Sequence, residues 1–241
     1  MGVSIADYQR QREAQSAQQT QWRSRCLQCR NAERACYCPH LRPFSPAPRF
    51  AILIHRKEAR RAVATGRMTH LTLQNSWLFE GTDFTDHSDL NRVLRDPSFF
   101  PVLLYPGVRA QNLSKLSASG RSALFPKDKT LVVILIDATW AQAKRMRRLS
   151  RNLLELPQIA FTPTKPSDFG VRRQPKAECY STIEAAHEVL RLLGETGRES
   201  MLRPFHWMVQ EQKAHVPLGP NRTRHKKKTS QRRFETTLAL F

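Results

Sequence analysis

The sequence predicts an α/β fold, a mostly parallel sheet with flanking helices, from three features. Leu131-Val132-Val133-Ile134-Leu135-Ile136 is apolar without a break, the pattern of a strand buried on both faces. Other apolar runs alternate with helix-like segments, the order expected of βαβ units. Polar and aromatic groups gather where the runs end, as His55, Tyr105-Pro106-Gly107 and Asp137-Ala138-Thr139-Trp140. Ligands of open α/β sheets bind outside the carboxyl ends of the strands. If these strands are neighbours, the three groups line one crevice.

The elements follow in order. Residues 1–22 are a polar, Gln-rich leader, loose or helical, and residues 23–42 carry a cysteine cluster. Pro43, Pro46 and Pro48 make a spacer before a domain expected over residues 49–218. Phe50 to Ile54 reads as a strand. Glu58 to Val63 is expected to open a helix, and Thr69 to Leu78 to form a second. Val102 to Tyr105 is a strand stopped by Pro106-Gly107, and Leu131 to Ile136 is the clearest strand. Ala141 to Leu154 is a basic helix, Gln158 to Thr162 a short strand, Thr182 to Leu193 an amphipathic helix and Leu202 to Lys213 a last helix. Residues 219–241 form a basic tail. No internal repeat is present.

Lys and Arg number 40 against 20 Asp and Glu, a formal net charge of +20. That excess points to a polyanion, nucleic acid before membrane surface. No apolar stretch approaches the roughly 20 residues of a membrane span, and the N-terminus has no apolar core of a secretion signal. The expected setting is a reducing cytoplasm, where cysteines stay free of disulfides. Oligomeric state, a monomer included, is left open.

Cys26-Leu27-Gln28-Cys29 and Cys36-Tyr37-Cys38 give C-x2-C-x6-C-x-C. Four thiolates at this spacing suit a structural, tetrahedral Zn²⁺ knuckle over residues 23–42, and metal binding would supply much of its folding energy. An iron–sulfur cluster is the main metal alternative, and a redox pair at Cys26 and Cys29 is the other. His40 is a substitute ligand that a complete four-cysteine shell does not need. Cys179 stands alone and reads as structural.

Basic residues fall in three runs. Lys144, Arg145, Arg147 and Arg148 follow the Asp137 motif, and Arg222, Arg224, Lys226, Lys227, Lys228, Arg232 and Arg233 crowd the tail. Arg23, Arg25, Arg30 and Arg34 surround the cysteines. Phosphate contacts from such runs give salt-sensitive, largely sequence-independent affinity. A large structured RNA read by shape fits the lack of a recognisable RNA-binding motif.

With these motifs in view the chain resembles the DTW-domain family. Asp137-Ala138-Thr139-Trp140 matches the defining D-x-T-W, and the cysteine pattern is similar to that of the family. So are His55-Arg56-Lys57-Glu58-Ala59-Arg60-Arg61 with Thr65-Gly66-Arg67, although the family more often has Pro where this chain has Arg56. Leu103-Leu104-Tyr105-Pro106-Gly107, Arg172-Arg173-Gln174-Pro175 and Tyr180-Ser181-Thr182-Ile183-Glu184-Ala185 complete a resemblance over about residues 23–213. It implies a tRNA-uridine aminocarboxypropyltransferase. Such an enzyme moves the 3-amino-3-carboxypropyl group of S-adenosylmethionine to N3 of a tRNA uridine and releases 5′-methylthioadenosine. It also implies a SPOUT-like core with a C-terminal knot, a rare feature.

Under that resemblance Asp137 is the candidate general base for the imide proton, with donor anchoring as its competing role. Tyr105, Pro106, Thr139 and Trp140 would border the donor. A cation–π contact of Trp140 with the sulfonium is one option, and plain core packing or helix capping is the bland reading of the motif. Arg172 or Arg173 would bind the donor carboxylate or tRNA phosphate. Ser181-Thr182-Ile183-Glu184 has capping-box spacing, and the helix amides behind it suit an anion. His55 reads as structural before catalytic. Lys144, Arg145, Arg147, Arg148 and Lys226 to Lys228 are the expected tRNA contacts. An S-adenosylmethionine-dependent RNA methyltransferase and a non-enzymatic zinc-knuckle RNA-binding protein are the rival readings.

Overall fold

Six parallel strands form the centre of the computed structural model, which describes residue 9 and residues 24–61, 63–169 and 179–214. They are β1 (Arg49–His55), β2 (Ser76–Gly81), β3 (Phe99–Leu104), β4 (Gln111–Asn112), β5 (Thr130–Asp137) and β6 (Gln158–Ala160). The order is β2-β1-β5-β3-β6-β4, and every pairing is parallel. The central strands are buried almost throughout, which accounts for apolar runs with no alternation.

The strand side chains divide by parity between two layers. Phe50, Ile52, Val133 and Leu135 face one core, with Met68, Ile183, Val189 and Phe205 from the helices above them. Ala51, Leu53, Val132 and Ile134 face the other, with Leu90, Val93 and Met146. The first layer holds α2 (Thr65–Thr72), α6 (Thr182–Leu192) and α7 (Arg203–Ala214); the second holds α3 (Ser88–Arg95) and α5 (Trp140–Leu149). The one-turn helix α1 (Arg56–Ala59) leaves β1 directly, and α4 (Ala118–Ala123) precedes β5. Among the described residues no helix is long and apolar enough to cross a membrane.

The structure shifts several expected boundaries. The helix expected over Thr69 to Leu78 divides into α2 and the strand β2, with a turn between them. Ser76 at that turn donates to the Leu73 carbonyl (2.6 Å), and its hydroxyl meets His70 Nδ1 (2.9 Å). The mixed run Ser76-Trp77-Leu78-Phe79-Glu80-Gly81 is an edge strand, and its half-exposure hid it from a search for apolar runs. The helix expected from Glu58 begins instead at Arg56, because His55 Nδ1 caps it by accepting from the Lys57 amide (3.1 Å). The helix expected to reach Leu154 stops at Leu149, followed by a separate 3-10 turn over Arg151–Leu153. The helices α3 and α4 and the two-residue strand β4 are additions. Apart from residue 9, the polar leader lies outside the described residues, as does the basic tail.

Burial sets the pH response of the fold. His55, His70 and His187 are each held below the ordinary value of 6.5, first of all by burial. Just below pH 6.5 the unfolded chain therefore binds protons that the native state refuses. Unfolding free energy falls as pH falls through that window. The melting temperature at pH 5.5 is expected to lie below that at pH 7.5; an unchanged or higher value would contradict this assignment.

Candidate functional site

The β5 register places Asp137 opposite Ile54, one residue before His55 at the end of β1. Strand β3, which leads into Tyr105, pairs with the other edge of β5. The three strand-end groups therefore lie on adjacent strands, at the reversal of strand order where α/β sheets open a crevice.

Asp137 is 6% exposed and has partners on two helix starts. Its Oδ2 accepts from the Gly66 amide at 3.1 Å, and its Oδ1 accepts from the Thr182 hydroxyl at 2.5 Å. Gly66 stands in the first turn of α2 and Thr182 is the first residue of α6. The Thr182 amide in turn donates to Thr65 Oγ1 (3.3 Å). One carboxylate thus joins the end of β5 to the positive ends of two helices, a favourable place for an anion. The contact depends on Gly66, where an added Cβ would stand 2.5 Å from Asp137 Oδ2 and 2.7 Å from its Cγ.

Thr139 caps α5. Its hydroxyl accepts from the Gln142 amide (3.4 Å), and Gln142 Oε1 accepts from the Thr139 amide (3.2 Å). This reciprocal capping box fixes the first residue of α5, Trp140. The indole is 43% exposed and meets the Tyr105 ring edge-on, with centroids 6.4 Å apart. The Arg147 guanidinium lies 4.9 Å from the Tyr105 centroid. Burial raises the Tyr105 phenol above its ordinary pKa, against the opposing pull of Arg147. Pro106 is half-buried beside this wall.

At the start of α6, Glu184 Oε2 accepts from the Ser181 amide (2.8 Å) and hydroxyl (2.6 Å). The Ser167 hydroxyl (2.7 Å) and the Asp168 amide (2.8 Å) also donate to the same carboxylate. Both oxygens of Glu184 are engaged in tying the 167–168 loop to the helix start. Arg172 and Arg173 lie outside the described residues.

The four cysteines of the N-terminal cluster converge. Cys26 and Cys38 Sγ are 3.7 Å apart, as are those of Cys29 and Cys36, and all four lie within 4.8 Å of one another. Tetrahedral zinc with Zn–S of about 2.3 Å requires S···S of about 3.8 Å, so the donor set fits a thiolate-bound ion. A left-handed Arg30 (φ 62°) turns the chain between the two cysteine pairs. The Cys29 amide pulls the Cys26 thiol down to about 7, whereas burial raises Cys36 and Cys38. His40 stacks on Trp207 of α7, with centroids 4.7 Å apart, a packing role that agrees with a shell completed by the four cysteines.

A family model described as the DTW domain matches residues 23–213. The chain belongs to the DTW family. Curated relatives include proteins named tRNA-uridine aminocarboxypropyltransferase 2. The Drosophila melanogaster protein is 30% identical over 79% of this chain and 75% of its own length. The Mus musculus protein is 30% identical over 80% of this chain and 65% of its own length. The Macaca fascicularis protein is 27% identical, with the same 80% and 65% shares. No solved structure matches the chain.

In this DTW protein the basic residues of α5 separate. Lys144, Arg145 and Arg148 are exposed, whereas Arg147 is half-buried over Tyr105. Lys226, Lys227 and Lys228 lie outside the described residues. Sequence reasoning gave no role to Thr65, Gly66 or Gln142. The signal for Gly66 was a glycine at a helix start with no turn to explain it, which points to close packing. Gln142 was legible as the distal half of a T-x-x-Q box. The Tyr105–Arg147 pairing spans two elements and carried no local signal.

Proposed function

We propose that this DTW protein transfers the 3-amino-3-carboxypropyl group of S-adenosylmethionine to N3 of a tRNA uridine. The observation that carries the reading is the strand-end crevice, where Asp137 ties two helix starts together beside the Tyr105–Trp140 wall. The names of the curated relatives support the tRNA substrate and the transferred group. In the reaction N3 attacks the methionine γ-carbon, the Cγ–S bond breaks, 5′-methylthioadenosine leaves and the imide proton passes to a base or to solvent. The sulfonium already carries the leaving group. The protein must therefore select one of its carbons by position, which near-attack geometry achieves.

Tyr105, Pro106 and Trp140 form the apolar side of the donor pocket in this reading. The cap of Thr139 holds the indole in place. Arg172 or Arg173 takes the donor carboxylate, and Ser181, Thr182 and Glu184 set the start of α6 that frames this end of the pocket. Asp137 serves first as the anchor of this pocket, since each oxygen already receives a hydrogen bond. Asp137→Asn puts an amide donor against one of those donors. It is expected to weaken donor binding roughly tenfold, the scale of a hydrogen bond to a charged group. Normal donor affinity with lost turnover would assign Asp137 the base role instead. Zn²⁺ at Cys26, Cys29, Cys36 and Cys38 supplies structure only.

We read the domains as knuckle (23–42), catalytic domain (49–218) and basic tail (219–241), and the core as SPOUT-like with a C-terminal knot. The insertion of β5 between β1 and β3, with the start of α6 at the end of β5, supports that reading. A solved structure in which the chain after β6 threads no loop would remove the knot. The reading places the protein in the cytoplasm, and fractionation of the native host tests it; recovery of the protein in the membrane fraction would contradict that placement.

The deciding experiment uses purified protein, unmodified tRNA and S-adenosylmethionine labelled in either group. Aminocarboxypropyl label is expected in uridine and methyl label in methylthioadenosine. Methyl label in RNA would replace the reading with a methyltransferase. Absence of both RNA labelling and donor binding would leave an RNA-binding protein.

A further inference from the structure

Helix α1 starts at the residue after the last of β1, and α5 starts three residues after Asp137, the last of β5. Because β1 and β5 are paired with Ile54 opposite Asp137, both helices start at the same end of the sheet. Arg56, Lys57 and Arg60 are exposed on the first, and Lys144, Arg145 and Arg148 on the second. The acid within α1, Glu58, is 1% exposed and is paired with Arg61 (3.4 Å). No acid occurs from Trp140 to Leu154.

His55 lies between the two groups. Its Nδ1 is occupied by the Lys57 amide. Its imidazole is held below the ordinary value first by burial, then by Lys57, against Glu58, with Arg145 and Arg56 adding to the same effect. Both helices begin at the paired ends of β1 and β5, so their cations flank the same strand ends. That convergence distinguishes the surface from two unrelated solvated charge runs.

We propose that α1 and α5 form one electropositive saddle that seats the RNA sugar–phosphate backbone flanking the acceptor nucleotide. Arg56, Lys57 and Arg60 supply the half of the saddle on the β1 side. The inference rests on the tRNA reading above, and it adds a docking direction: RNA lies across the β1–β5 edge of the crevice, and the base points inward toward Asp137. Charge complementarity selects the partner, and the adjacency to Asp137 selects RNA bound for reaction over a storage polyanion.

The test compares the full-length wild type with the triple variant Arg56→Ala, Lys57→Ala, Arg60→Ala, leaving Arg61 on Glu58. An unmodified tRNA transcript is titrated at several KCl concentrations, and S-adenosylmethionine binding is measured by calorimetry. Each phosphate that is no longer neutralised is expected to flatten the slope of log K against log[salt] by roughly 0.7 to 0.9. Removing all three cations thus reduces the slope by about 2 to 3, with tRNA affinity at about 0.1 M salt down at least tenfold and donor affinity unchanged. The charge-keeping variant Arg56→Lys, Arg60→Lys should retain the wild-type slope. Unchanged tRNA affinity and slope in the triple variant, with a wild type that binds tRNA and donor, would overturn the saddle alone. A wild type that binds no tRNA would overturn the saddle together with the substrate reading.

Discussion

Gly66→Ala is expected to lower turnover about 100-fold, although residue 66 has no side chain with which to do chemistry. The methyl group would stand 2.5 to 2.8 Å from three atoms of the Asp137 side chain. Asp137 cannot retreat freely, because it is 6% exposed and also held by Thr182 at 2.5 Å. The strain is relieved only if α2 moves away from β5 or Asp137 swings off the helix starts. Overpacking of this kind costs about 1 to 3 kcal/mol, and a displacement of about 1 Å at a reacting site can cost about 100-fold in rate. A loss of about 2 kcal/mol lowers the melting temperature of a domain this size by roughly 4 to 8 °C. Turnover and donor affinity should both fall in a protein that still melts cooperatively. A variant with wild-type donor affinity and rate would separate Asp137 from α2 and remove its anchoring role. Gly66→Ser should be no better than alanine, since the hydroxyl adds bulk without removing the Cβ.

The anchor also indicates which parts of the site local sequence can reveal. The strand β5 and its terminal Asp137 were legible because a doubly buried parallel strand leaves an uninterrupted apolar run that ends where it meets solvent. Thr139 and Ser181-Thr182-Ile183-Glu184 were legible as caps because capping acts over three residues. The cysteine cluster was legible because its four thiols lie within 13 residues. The partners Gly66 and Thr182 lie 71 and 45 residues from Asp137, and nothing local joins them. The edge strand β2 was hidden for a different reason. Its outward residues are polar or half-exposed, so Trp77 and Leu78 read as part of a helix begun at Thr69. The Arg147 placement was hidden because a basic run on a helix looks uniformly solvated until one member finds an aromatic ring across a loop.

The second large effect is expected from the knuckle, which is part of the core and not an appendage. Cys29 and Tyr37 are each 1% exposed, and they pack in one cluster with Phe50, Met68 and Phe205. Four thiolates around Zn²⁺ would leave a net negative charge, and Arg67 lies within electrostatic reach of Cys29 and Tyr37. Arg67 is 6% exposed, and its guanidinium donates twice to the Ala59 carbonyl at 3.2 Å. It also follows Gly66 directly, so the residue facing the knuckle neighbours the amide that holds Asp137. Stripping the metal leaves four crowded thiols, with Cys36 and Cys38 in surroundings that disfavour their thiolates. The cluster then loses its link, and Tyr37, Leu41 and the His40–Trp207 stack lose their support. Structural zinc contributes about 10 kcal/mol or more to folding in isolated fingers. Even half of that corresponds to a loss of roughly 10 to 20 °C in a domain of this size. Chelation should therefore lower the melting temperature by at least about 10 °C and weaken donor binding in the same preparation, with both restored by Zn²⁺. Cys29→Ser should be more damaging than Cys26→Ser, because Cys29 is the buried member of the set. A chelated protein with an unchanged melting temperature would show that the knuckle folds without metal. A lowered melting temperature with intact donor binding would break the path from Cys29 through Arg67 to Asp137 while leaving the metal its structural role.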